Sequence, residues 1–151
     1  MRVVIQRVQW AKVEVDSQVV GEIPQGLVVF LGIEKEDSSE EADWLLRKIT
    51  QLRIFSDEQG QMNRSLMEIQ GSLLIISQFT LFAATKKGNR PSYIRAAGHR
   101  IAVPLYEYFV EQAREKLSNN RVATGIFAAD MQIRSQNDGP VTIFIDSKHR
   151  E

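Results

Sequence analysis

The sequence predicts a mixed α/β chain: a β-rich single domain of two packed sheets with two outer helices. Three observations carry this. The 151 residues suit one core rather than two. Hydrophobic residues make up 43%, an ordinary globular share. Apolar segments of strand length surround only two segments with helical periodicity, in the order strands, helix, strands, helix, strands.

Taken in order, Arg2–Val8 and Lys12–Asp16 read as two strands; in the second, Val13 and Val15 alternate with polar residues. Asp16-Ser17-Gln18 reads as a turn into a strand over Val19–Ile23, and Pro24-Gln25-Gly26 breaks the chain. Leu27–Ile33 is apolar on both faces, as a central strand is. Ser38 and Glu41 have capping-box spacing, and Ala42, Leu45, Leu46, Ile49 and Leu52 then fall on one helical face. A short strand at Arg53–Ser56, a turn at Asp57–Gly60 and a buried strand at Ser72–Phe79 follow. Leu81–Arg100, with Gly88, Pro91 and Gly98, reads as a long loop, a feature more often functional than idle. The second helix carries the stripe Leu105, Tyr108, Phe109, Ala113 and Leu117, with Pro104 expected in its first turn. Three short strands close the chain, near Arg121–Gly125, Met131–Ser135 and Val141–Asp146. The domain is thus expected over 1–147, with 148–151 a loose tail. Several strands are apolar on both faces, which a chain this small cannot cover alone, so a homodimer is expected.

Composition removes several chemistries. There is no Cys, hence no disulfide, thiolate metal site or Cys nucleophile. No apolar run approaches the roughly 18 residues of a membrane span, and Arg2 and Arg7 interrupt any signal-peptide core, so a cytoplasmic protein is the simplest reading. Nucleotide-binding glycine motifs, G-x-S-x-G and H-E-x-x-H are absent. His99 and His149 are the only histidines and have no paired ligand at metal spacing. The charge balances at 19 against 19, which argues against coating DNA or RNA by bulk charge. It is unevenly spread, however. Ile69–Tyr106 has no Asp or Glu and holds Lys86, Lys87, Arg90, Arg95 and Arg100, a local site for phosphate or merely a solvated loop.

Two segments remain. Ser77-Gln78-Phe79-Thr80-Leu81 lies where the buried strand opens into the basic loop, and its hydroxyls, amide and backbone N–H groups are the parts of an oxyanion site. Thr80 as a nucleophile would need a base, and none is evident; the plain alternative makes it a β-branched strand residue. Asn137-Asp138-Gly139-Pro140 alone reads as a hairpin turn.

Together with Val141-Thr142, these two segments resemble the signature motifs of the D-aminoacyl-tRNA deacylase family. Arg7-Val8, Leu52-Arg53-Ile54-Phe55, Met62-Asn63, Lys87-Gly88-Asn89-Arg90-Pro91-Ser92 and Thr124-Gly125 are similar too, so the likeness spans 1 to about 147. The chain departs at Ala128, where the family pattern has Gly, and near Ala84 or Thr85, where an acidic residue is expected. The resemblance implies a homodimeric hydrolase that removes D-amino acids, or glycine mischarged on tRNA(Ala), from the 3′ end of tRNA, without metal or cofactor. By motif, the catalytic pocket is Ser77, Gln78, Phe79 and Thr80. Met131 completes its wall, and a cis Gly139–Pro140 pair enters from the partner chain to reject L-aminoacyl esters. The charged residues expected to meet tRNA are Lys86, Lys87 and Arg90; neither DNA nor membrane is an expected partner. Two other readings stay open on the residues alone: an RNA-binding module without catalysis, and a structural dimer without ligand.

Overall fold

The computed structural model describes residues 1–150 as one mixed α/β domain. Its strands are β1 (Arg2–Val15), β2 (Gln18–Ile23), β3 (Gly26–Gly32), β4 (Phe55–Ser56), β5 (Met62–Arg64), β6 (Ser72–Ser77), β7 (Val122–Thr124) and β8 (Gln132–Asp146). The helices are α1 (Ser39–Gln51) and α2 (His99–Leu117).

The expected two packed sheets are instead one continuous six-stranded sheet in the order β2-β1-β3-β6-β7, with β8 on the other side of β1 and β4-β5 a separate small hairpin. The hub is β1, a single 14-residue strand where two were predicted. It pairs with β3 through Arg2–Val8, with β2 through Ala11–Val15 and with β8 along nearly its whole length. Register shifts around Val8 and Trp10 change the face that its side chains present. Val3 and Ile5 face the core beneath the helices, whereas Val8, Ala11 and Val13 join a second core with Val28, Leu74 and Ile76. The sheet therefore curls around the second core rather than stacking on another sheet. The curl closes where β2 approaches β7: a side chain at Gly21 would begin 2.5 Å from the Thr124 carbonyl oxygen.

The central strands β3 and β6, parallel to each other, are buried on both faces, as their uninterrupted apolar runs require. The Asp16-Ser17 turn has both residues at positive φ, the backbone of a two-residue hairpin loop whose twist suits its strands. Helix α1 begins with the full capping box of Ser38 and Glu41, and buries Ala42, Leu45, Leu46 and Ile49. Helix α2 packs beside it on the same face of the sheet, through Ala102, Tyr106, Phe109, Val110, Ala113 and Leu117. Pro104 is the sixth residue of α2, not in its first turn, because the helix already starts at His99, inside the segment read as loop. The tail is tethered at two points: Lys148 pairs with Glu34, Glu36 and Asp37, and the Arg150 guanidinium lies 4.3 Å from the centre of the Trp44 ring. Among the described residues, no helix is long and apolar enough to cross a membrane.

Candidate active site

Strand β6 ends at Ser77, and the chain turns at once into a 3-10 helical segment over Phe79–Phe82. Thr80 is therefore a turn residue, not the strand residue of the plainer reading. The turn is fixed from both sides. The Gln78 N–H donates to the Leu31 carbonyl at 2.8 Å, and an Arg2 guanidinium nitrogen donates to the Leu81 carbonyl at 3.0 Å. Phe82 is buried, with the Arg2 and Arg95 guanidinium carbons 4.7 and 5.5 Å from its ring centre. Among the described residues, the N–H groups of Phe79 and Thr80 meet no acceptor.

A cavity of about 570 Å³ opens beside this turn. Ser77, Gln78 and Phe79 form one side, with Met131, Ile76 and Ile133 also lining it. The opposite wall was not anticipated: Tyr93, Ala96, Ala97 and His99 from the end of the basic segment, and Phe127 from the stretch before β8. Two backbone links seat this wall, a bridge between Glu34 and Ala96 and the Ala97 N–H donating to the Ile33 carbonyl at 2.9 Å. Tyr93 meets Phe79 edge to face at 5.1 Å, and Phe127 meets both His99 (5.6 Å) and Tyr106 (5.5 Å) in the same way. Burial pushes the Tyr106 phenol up to about 12, so it stays protonated, and it donates to the Ile75 carbonyl at 2.9 Å. That bond ties α2 to the strand leading into Ser77.

Among the described residues, the lining is apolar apart from a few polar groups and includes no carboxylate or ammonium. Thr80, placed in the pocket by motif, is not among the residues that line the cavity, and its hydroxyl oxygen lies against the Gln78 side-chain amide. An amide is no base, so this pairing orients the hydroxyl without activating it. Phe79 is 57% exposed at the mouth. Ala128, in the wall, has φ +62°, a left-handed backbone that costs an alanine and that a glycine would adopt freely.

Lys86, Lys87 and Arg90 are exposed on a hairpin closed by paired hydrogen bonds between Ala84 and Ser92. They do not line the cavity, and none forms an ion pair among the described residues. Arg95, by contrast, pairs with Glu34 at 3.0 Å. Burial opposes ionisation of Glu34, but Arg95 and Lys148 outweigh it and hold the carboxyl below its usual range.

Asn137-Asp138-Gly139-Pro140 is not a hairpin turn. It belongs to β8, which replaces two of the three short strands predicted at the end of the chain. Between the pairs Gln6–Thr142 and Val8–Asn137, β1 supplies Arg7 alone while β8 supplies Asp138–Val141. The surplus residues bulge outward with a cis Gly139–Pro140 bond, both residues exposed and neither lining the chain's own cavity. Gly139 has φ +133°, and a Cβ there would lie 2.9 Å from the Val141 nitrogen and 3.2 Å from an Arg7 guanidinium nitrogen. Arg7 is the anchor. It is 7% exposed, donates to the Asp138 carbonyl at 3.0 Å and to the Ile54 carbonyl, and pairs with the Asp138 carboxylate at 3.1 Å. Sequence reading gave Arg7 no role, yet a signal existed: it follows Val3 and Ile5 on the inward face of a strand, where a charge needs a dedicated partner.

Known proteins resemble this chain closely. The family model described as D-Tyr-tRNA(Tyr) deacylase matches residues 4–146. D-aminoacyl-tRNA deacylases of Azobacteroides pseudotrichonymphae and Cytophaga hutchinsonii are each 56% identical over 151 residues, covering all of both chains. Among solved structures, one named c-Myc DNA Unwinding Element Binding Protein superposes with a TM-score of 0.92 at 40% identity, covering 97% of this chain and 98% of its own. A probable eukaryotic D-amino acid tRNA deacylase gives 0.83 at 18% identity, covering 95% and 97%, and shares the fold.

Proposed function

The chain belongs to the D-aminoacyl-tRNA deacylase family and has that family's hydrolase activity, and from this premise we propose how the site works. The substrate ester, carrying a D-amino acid or glycine on the 3′ end of tRNA, lies along the Ser77–Thr80 turn. The unpaired N–H groups of Phe79 and Thr80 take the oxyanion of the tetrahedral intermediate. Thr80 positions rather than attacks, since its one side-chain partner among the described residues is the Gln78 amide. The substrate's own ribose 2′-hydroxyl helps orient the attacking water. Lys86, Lys87 and Arg90 meet acceptor-end phosphates. The enzyme acts in the cytoplasm, where aminoacyl-tRNA is used.

The observation that carries the finer reading is the bulge on β8. Gly139 and Pro140 project from the surface, held from behind by Arg7, and take no part in their own chain's cavity. In a homodimer they fit a partner's cavity as a wall set where an L side chain would project. Glycine, with no side chain, passes. Apolar residues left exposed here, Phe79 and Phe144, both 57% exposed, suit burial between two copies.

The test is hydrolysis of D-Tyr-tRNA, L-Tyr-tRNA and Gly-tRNA(Ala), with sedimentation of the same samples. The expected result is a dimer that cleaves the first and third and spares the second. Gly139→Ala, which forces a Cβ against Val141 and Arg7, is expected to lower turnover and selectivity together. A fully active monomer, or a Gly139→Ala protein with unchanged selectivity, would refute the gate in trans.

A further inference from the structure

The α-ammonium of Met1 is sealed inside the protein. It donates to Asp37 Oδ1 at 2.5 Å and to Ser147 Oγ at 2.9 Å, and both Met1 and the Asp37 side chain are 0% exposed. The second oxygen of Asp37 accepts the Glu34 N–H at 2.8 Å, and Lys148 Nζ lies 3.7 Å from the first. The Met1 carbonyl accepts the Ser147 N–H at 2.9 Å. One nitrogen thus joins the start of β1, the turn between β3 and α1 and the end of β8.

The junction leads to the cavity along two routes. Through Glu34 it reaches Arg95 and the backbone bridge to Ala96, which seats the far wall. Through Arg2, next in the chain and paired with Asp146 at 2.8 Å, it reaches the Leu81 carbonyl and the Phe79–Phe82 turn. An acyl group on the Met1 nitrogen would abolish its positive charge, leave one N–H in place of three, and add a carbonyl with no partner. Asp37 would stay buried with only the partly exposed Lys148 ammonium, 3.7 Å away, as counter-ion, a costly arrangement.

We propose that the free α-amino group of Met1 is a maturation site, one that an acyl substituent of the formyl or acetyl class, or residues joined ahead of it, keeps from closing. For a formylated chain the releasing step is hydrolysis. Water adds to the formyl carbon, the carbon–nitrogen bond breaks, formate leaves, and the freed amine takes up a proton to become the ammonium that pairs with Asp37. Assembly of the cavity wall is then completed by removal of a one-carbon group at the other end of a hydrogen-bond chain.

The experiment uses the full chain fused behind a protease site whose cleavage leaves Met1 as first residue, and the formylated chain made under deformylase inhibition. Melting and turnover of D-Tyr-tRNA are measured before and after cleavage or deformylation. The free-amine form is expected to melt roughly 10 °C higher, as loss of one buried ion-pair partner in a domain of this size implies, and to turn over faster. A fusion that folds only after cleavage supports the same conclusion. Asp37→Asn should bring the cleaved protein down to the uncleaved level while hardly moving the uncleaved one, and the milder Ser147→Ala should lower only the cleaved form. Blocked and free forms that melt within about 2 °C of each other with equal turnover would overturn the proposal. So would an Asp37→Asn effect of equal size in both.

Discussion

Replacing Arg7 by Met isolates what holds the β8 bulge in place. Methionine fills much of the space of the arginine stem but cannot donate. Two carbonyls lose a charged donor, Ile54 in a buried setting and Asp138 at the bulge. Hydrogen bonds to charged groups contribute about 1.5–3 kcal/mol each. The Ile54 carbonyl is stranded and loses the full amount. The Asp138 groups are partly open to water, which recovers most of their share, and their ion pair is discounted for the same reason. The net loss is about 3 kcal/mol. In a domain of this size each kcal/mol moves the melting point by about 2–4 °C, so a fall of about 9 °C is expected. Function should suffer beyond stability: at a temperature where the variant is fully folded, turnover of D-Tyr-tRNA should drop and cleavage of L-Tyr-tRNA should rise. Arg7→Lys should recover little of this, because one ammonium cannot span two carbonyls and a carboxylate as the planar fork does. Thermal melting by circular dichroism with single-turnover hydrolysis measures both effects. A melting point within about 2 °C of the parent, with D-over-L selectivity intact, would refute the reasoning.

Thr80→Ala should slow hydrolysis by much less than the factor of about 10⁴ that removal of a covalent nucleophile brings; an acyl-enzyme trapped on Thr80 would reverse this assignment. Changing Lys86, Lys87 and Arg90 together to Ala should cut the salt dependence of tRNA binding by roughly 0.7–0.9 for every phosphate left unneutralised while sparing D-over-L selectivity, and an unchanged salt slope would return the hairpin to ordinary surface. Burial opposes ionisation of Asp146, yet Arg2 and the Lys148 N–H hold its carboxyl at about 2, below its usual 3.8. The stabilisation is therefore complete above about pH 4 and lost as pH falls towards 2. Asp146→Asn should flatten the melting-point curve across that interval; parallel curves for parent and variant would contradict it.

What the sequence disclosed follows how local each determinant is. Helix α1 was readable because its signals lie within four residues of one another, from the Ser38–Glu41 box to the stripe ending at Leu52. The two-sided burial of β3 and β6 was readable from their uninterrupted apolar runs. β1 looked like two strands because exposed Gln9 and Trp10 break the alternation, although pairing with β8 carries the backbone through. Asn137–Pro140 has the composition of a turn, and locally it does turn; only the pairing of both flanks with β1 makes it a bulge within one strand. The expectation of two sheets failed for the same reason, since curling one sheet depends on register shifts that no residue announces alone. Within the site, the Ser77–Thr80 turn was marked by its motif. The facing wall of Tyr93 and Ala96 was silent, because it is seated by the backbone bonds of Ala96 and Ala97 to Glu34 and Ile33, some sixty residues earlier.

The pairing of Arg2 with Asp146 also governs how the chain emerges from synthesis. β1 is made well before its longest partner, β8, so every element between them is synthesised with one flank of β1 unsatisfied. Interactions that connect distant parts of a chain assemble slowly. A half-made product would present the open border of β1, with the apolar underside of the unfinished sheet, to other nascent chains. Truncated products lacking β8 should accordingly be clients of chaperones and proteases rather than smaller working copies, and slowing translation should not help them.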